Sequence, residues 1–145
     1  MIDINVKKMF FTSRAVLSAT DRATRRVLSR FGAYVRRTAK SSIRKRKRIS
    51  SPGKPPSSHT GLLKRFIFFG YDRARRSVVI GPARLTQGGR GDAPSLLEYG
   101  GTTALKTRGK RKRARFRARP YMGPAMEKER PKLPQMWRDS VSATR

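Results

Sequence analysis

The sequence predicts an α+β fold, with a long N-terminal amphipathic helix and a C-terminal helix packed on a small, mostly antiparallel sheet. Three observations predict it. Apolar or small residues recur three and four apart after Ser13, β-rich segments follow in the middle of the chain, and helical spacing returns after Met122. The 145 residues fit a single domain over 1–145, long enough to bury roughly two thirds of its unfolded surface.

The first helix rests on Leu17, Thr20, Thr24, Val27, Leu28, Phe31, Tyr34, Val35 and Thr38, which share one helical face over a stretch from Ser13 to about Arg46. Thr12 or Ser13 is suited to cap its first turn, since a hydroxyl accepts from an otherwise unpaired amide. The opposite face carries Arg14, Arg22, Arg25, Arg26, Arg30, Arg36 and Arg37. Residues 44–59 read as a basic, Pro/Ser-rich extended loop. Arg44, Lys45, Arg46, Lys47 and Arg48 repel one another along a helix, and Pro52, Pro55 and Pro56 forbid continuing it.

Thr60-Gly61-Leu62-Leu63-Lys64 reads as a short turn feeding a strand. Residues 66–71 and 77–80 then form an antiparallel hairpin with its apolar face inward, ended by Gly81-Pro82. Leu62, Leu63, Phe66, Phe68 and Phe69 offer more apolar surface than one face of a short strand can bury. Residues 84–93 read as a flexible Gly-rich loop and 94–99 as a short helix stopped by Gly100-Gly101. Residues 106–119 read as a basic hairpin with Arg108 to Lys112 at its tip. Ala114 to Arg119 alternates small or apolar residues with arginine, the period of a strand with one wet face. Phe116 in that alternation either packs inward or stacks on a base. Met122, Ala125, Met126, Leu133, Met136, Trp137 and Val141 follow helical spacing, and Pro131 and Pro134 should kink or split that helix.

Charge dominates the composition: 37 Lys and Arg against 8 Asp and Glu leave a net charge of +29. Internal ion pairs cannot neutralise it, so the field selects polyanions or acidic protein surfaces. Nine of the basic residues fall between Lys106 and Arg119 with no acid among them. Arg108, Lys110, Arg111, Lys112, Arg113, Arg115, Arg117 and Arg119, with Arg44 to Arg48, are the expected contacts, and phosphate contacts of this kind carry no base sequence information.

The residues for catalysis are missing. With no cysteine, thiolate chemistry, disulfides and thiolate metal sites are excluded. His59 is the only histidine and lies in the Pro/Ser loop, with Asp72 the nearest acid in sequence. Asp92 and Glu98 make a poor carboxylate pair, because Glu98 is better suited to capping or to pairing with an arginine. Gly88-Gly89-Arg90-Gly91 lacks the Gly-Lys-Ser/Thr ending of a phosphate loop. The expectation is a protein that is not an enzyme, with no cofactor and no metal. Residues 1–11 lack the pattern of a signal peptide and no apolar run approaches a membrane span, so a soluble protein without a membrane partner is expected.

The order of segments resembles the bacteriophage tail-completion family, which joins head connector to tail. Three elements carry the resemblance over residues 50–126. They are Pro52-Gly53-Lys54-Pro55-Pro56 with Thr60-Gly61-Leu62; Ala93-Pro94-Ser95-Leu96-Leu97-Glu98-Tyr99-Gly100; and Ala118-Arg119-Pro120-Tyr121-Met122-Gly123-Pro124-Ala125. The resemblance implies a structural virion protein at the neck, assembled in the host cytoplasm as a homo-oligomeric ring. Its implied partners are copies of itself, adjoining neck and tail proteins, and phage DNA in the lumen. The competing expectation, from composition alone, is a sequence-independent nucleic-acid-binding protein of ribosomal or nucleoid type.

Overall fold

A computed structural model describes residues 13–83, 93–107, 110–138 and 140, and the side chains of those residues except 105–107, 110 and 111. Helix α1, Ser13–Ser42, is the spine. At 1.5 Å per residue it runs about 45 Å. Its buried residues Ala23, Val27, Phe31, Gly32, Val35 and Ala39 repeat at helical spacing. Phe31, Val35, Ala39 and the following Ile43 form the core with Ile67, Tyr121 and Ala125. The apolar face starts later than its spacing predicts: Leu17 is 59 % exposed and Thr20 is also exposed, because the packing elements reach only the later turns. The helix also stops at Ser42, short of Arg46, so the charge run leaves it.

The loop after α1 is less extended than expected. Arg44–Lys45 (β1) pairs in parallel with Ser57–Ser58 (β2), folding the Pro-rich segment back on itself. Pro56 is buried. Gly61, at φ +80, opens the short helix α2, Leu62–Arg65. Strands β3 (Ile67–Asp72) and β4 (Ser77–Pro82) form the expected antiparallel ribbon, with Ile67 opposite Pro82 and Asp72 opposite Ser77. One face lies on α1. A Cβ on Gly32 would meet Val78 Cγ2 at 2.7 Å and Phe69 Cδ2 at 3.0 Å, so the missing side chain is what allows the approach. The apolar surface is only partly inward, since Phe68 is 50 % and Val79 64 % exposed on the other face.

The Gly-rich loop, apart from Ala93, lies outside the described residues, as do Asp92 and the capping residue Thr12. Helix α3, Ala93–Tyr99, is followed by Gly100 at φ +75. Strands β5 (Gly101–Thr107) and β6 (Lys110–Phe116) make the second antiparallel ribbon. Residues 108–109 lie outside the described ones, and Lys110 to Lys112 belong to a strand rather than to the tip. The strands form separate two-stranded ribbons instead of one continuous sheet. Helix α4, Met122–Glu129, passes through a 3₁₀ turn at Arg130–Lys132 into α5, Leu133–Trp137. Pro131 and Pro134 split the C-terminal helix at the points where their missing amides predict. Among the described residues, no helix is long and apolar enough to cross a membrane.

Candidate polyanion interface

Parts of the three motif segments, distant in sequence, meet at one place, whereas Thr60-Gly61-Leu62 bonds only locally among the described residues, the Gly61 amide donating to the Ser58 hydroxyl. The Gly53 amide, with φ +76 in the Pro-rich turn, donates to the Ala118 carbonyl at 2.9 Å. Arg119 donates from Nε to the Ser50 carbonyl at 3.0 Å and from its backbone amide to Leu97 at 2.6 Å. Glu98 reaches from α3 to the start of α4. Its Oε2 accepts from the Tyr121 and Met122 amides at 2.9 and 3.0 Å, and its Oε1 accepts from Gly123 at 2.7 Å. These are amides that a helix start leaves without an internal partner, and a carboxylate there also meets the positive end of the helix dipole. Gly100 completes the junction, because a Cβ on it would sit 3.0 Å from both the Phe116 carbonyl and the Ala118 amide. Pro94 is buried beside this junction, whereas Tyr99 is 82 % exposed.

Around this junction lie two open clefts. The first, about 610 Å³, is bounded by the end of α1, the Pro-rich turn and α4; Arg44, Arg46, Lys54 and Lys128 supply its charge. Ser41, Ser42, Pro55, Pro56 and Pro124 complete much of its wall. The second, about 460 Å³, holds Arg115, Arg117 and Arg119 around Ile49, Leu97 and Phe116. Ser50, Pro56 and Ser57 line both, so the two clefts adjoin across these residues. Among the described residues, no carboxylate lines either cleft. The Ser50 hydroxyl is shielded from solvent and has no hydrogen-bond partner among the described residues.

The predicted contacts divide accordingly. Arg44, Lys45, Arg46, Lys47 and Arg48 are all exposed, as are Lys112, Arg113, Arg115 and Arg117. On β6, Arg113 stands opposite Ala104 and Arg115 opposite Thr102, while Lys112 pairs with Leu105 one position out of step. Arg108 lies outside the described residues, and only the backbone of Lys110 and Arg111 is described. Arg119 is half-buried and committed to holding the Pro-rich turn. Phe116 is half-buried and lines the second cleft. His59 is exposed, and among the described residues no group of three His, Cys, Asp or Glu is placed to hold a metal.

Two charges are perturbed by the fold. Lys40 is held below the usual lysine range by burial first, then by the charges of Arg36 and Lys64. Glu129, 3 % exposed, is held below the usual glutamate range by its hydrogen bonds from Lys132 and Thr38, each 2.6 Å, which outweigh its desolvation. Sequence reasoning missed the part played by Lys54 and Lys128, which belong to the first cleft only because the chain folds back. Comparison of the chain with protein-family models, curated proteins and solved structures finds no match.

Proposed function

We propose that this chain is a structural component of a tailed bacteriophage particle, a neck or tail-completion subunit that acts by assembly and without turnover. The observation that carries the reading is the meeting of parts of the three motif segments. Pro52–Pro56, Glu98 and Ala118–Gly123 are joined by direct hydrogen bonds, so residues that look like separate motifs in sequence serve one structural junction. A junction made of backbone amides, carbonyls and one capping carboxylate positions surfaces, which is what an assembly subunit requires. The half-open apolar face of the β3–β4 ribbon and the exposed Leu17 support burial against another copy in a ring.

A second reading, a sequence-independent nucleic-acid-binding protein, is favoured by the net charge and by the two basic clefts. Proteomics and labelled imaging of cell fractions separate the two. The phage reading expects the chain in purified tailed particles, at the neck. Its enrichment with ribosomes or nucleoid, and its absence from such particles, would overturn that reading.

A further inference from the structure

We infer that the two clefts form one track for the phosphodiester backbone of a nucleic acid, running from the end of α1 across the Pro-rich turn to β6. Four cations line the first cleft and three the second, with no acid in either lining. The shared wall of Ser50, Pro56 and Ser57 makes the clefts neighbours along one path. β1–β2 pairing and the Gly53–Ala118 and Arg119–Ser50 bonds fix that wall, so the track is preformed and little ordering is needed on binding.

Phosphate fits the first lining better than an acidic protein surface does. Beyond its cations the first cleft is walled largely by Ser, Thr and Pro, without the aromatic or large aliphatic anchors on which protein interfaces depend. Arginine forks match phosphate oxygens, and each such pairing releases condensed counterions. The second cleft also has the half-buried Phe116 in its lining with Arg115 and Arg117, an aromatic side chain of the kind on which an unpaired base stacks. This favours a single strand over a duplex. The inference stands apart from the phage reading, because it concerns binding by the isolated protein and holds whether or not the chain is found in particles.

The test measures binding of fluorescent single-stranded and duplex DNA against salt concentration. One variant neutralises the first cleft (Arg44→Gln, Arg46→Gln, Lys54→Gln, Lys128→Gln) and another the second (Arg115→Gln, Arg117→Gln). A control neutralises Arg25, Arg26 and Arg30 on the exposed side of α1, all as Gln, none of which lines either cleft. Circular dichroism checks each fold, and the pair Arg46→Gln, Lys128→Gln replaces the first variant should it unfold. On single strands the log–log salt slope should fall by about 0.7 for each phosphate that a cleft variant no longer neutralises. The control should change it far less. Strands of about 12 nucleotides should respond to both cleft variants and outbind strands of about 4, which reach only one cleft. An equal response to the control would assign the binding to overall charge and overturn the track. Equal affinity of short and long strands would overturn its continuity. Polyglutamate displacing DNA at matched charge would assign the clefts to an acidic protein instead.

Discussion

Glu98 accepts three amide hydrogens from a helix more than twenty residues ahead of it, so its removal uncaps α4 and unties α3 from it. Hydrogen bonds to a charged group contribute about 1.5–3 kcal/mol each at a shielded site, with strong non-additivity among neighbours. Glu98→Ala should therefore lower stability by about 2–3 kcal/mol in urea unfolding, and Glu98→Gln by less, since one oxygen still accepts. Equal losses for the two substitutions would mean that packing, not acceptance, is the role of this side chain. Glu129 gives a pH prediction. Its folded pKa is depressed, so its contribution is complete above the usual glutamate range and is lost as the pH falls through the lower folded value. The stability difference between the native chain and Glu129→Gln should accordingly be widest near neutral pH and shrink in acid; a difference that stays constant as acid is added would remove the ionised form from the account.

At the scale of elements, α1 and the β3–β4 ribbon are held together by a close approach at Gly32. Alanine there would gain about 1 kcal/mol of helix propensity but push against Val78 and Phe69, and overpacking of this kind costs about 1–3 kcal/mol. Because Val78 Cγ2 is the end of a short, stiff side chain, the clash should win. Gly32→Ala is expected to lower the melting temperature, and Gly32→Ala with Val78→Ala to recover part of that loss. A stabilised single variant would show that the ribbon can shift freely over the helix. The β5–β6 ribbon behaves differently. It is anchored at its base through Phe116 and Ala118, while Arg113, Arg115 and Arg117 are exposed to solvent. Charge-neutral substitutions of these three should therefore leave the fold intact, which circular dichroism checks.

Over the whole molecule, +29 acts against compactness. Three ion pairs occur among the described residues: Asp21–Arg76 at 3.4 Å, Glu127–Arg130 at 3.7 Å and Glu129–Lys132 at 2.6 Å. The first two are exposed and worth little. Repulsion thus outweighs attraction, and raising ionic strength, which shortens the Debye length from about 10 Å at 0.1 M to about 3 Å at 1 M, should raise the melting temperature. A melting temperature that falls with added sodium chloride would mean that specific ion pairs dominate. The same repulsion opposes association of copies, so any ring should assemble only with salt, a polyanion or an acidic neighbour. Native mass spectrometry at high salt, with a neighbouring ring protein present, checks this; monomer alone under those conditions would count against the ring.

Local regularities were legible in the sequence. The three-and-four spacing of Val27, Phe31 and Val35, the β-rich segments around residues 73–76, and Pro131 and Pro134 each act within a few residues, so α1, the first ribbon and the split C-terminal helix follow from the chain alone. The basic hairpin followed in outline, with its strand beginning closer to the tip than its charge suggested. The surplus of positive charge was equally plain, because charge sums without regard to fold. Where α1 begins to be buried, and how Arg44 and Arg46 come to share a cleft with Lys54 and Lys128, depended on what packs against them. So did the commitment of Arg119 to Ser50 and of Glu98 to the amides of residues 121–123. Those relations join residues tens of positions apart, and no periodicity or local propensity encodes a pairing whose partners are brought together only by burial of the core.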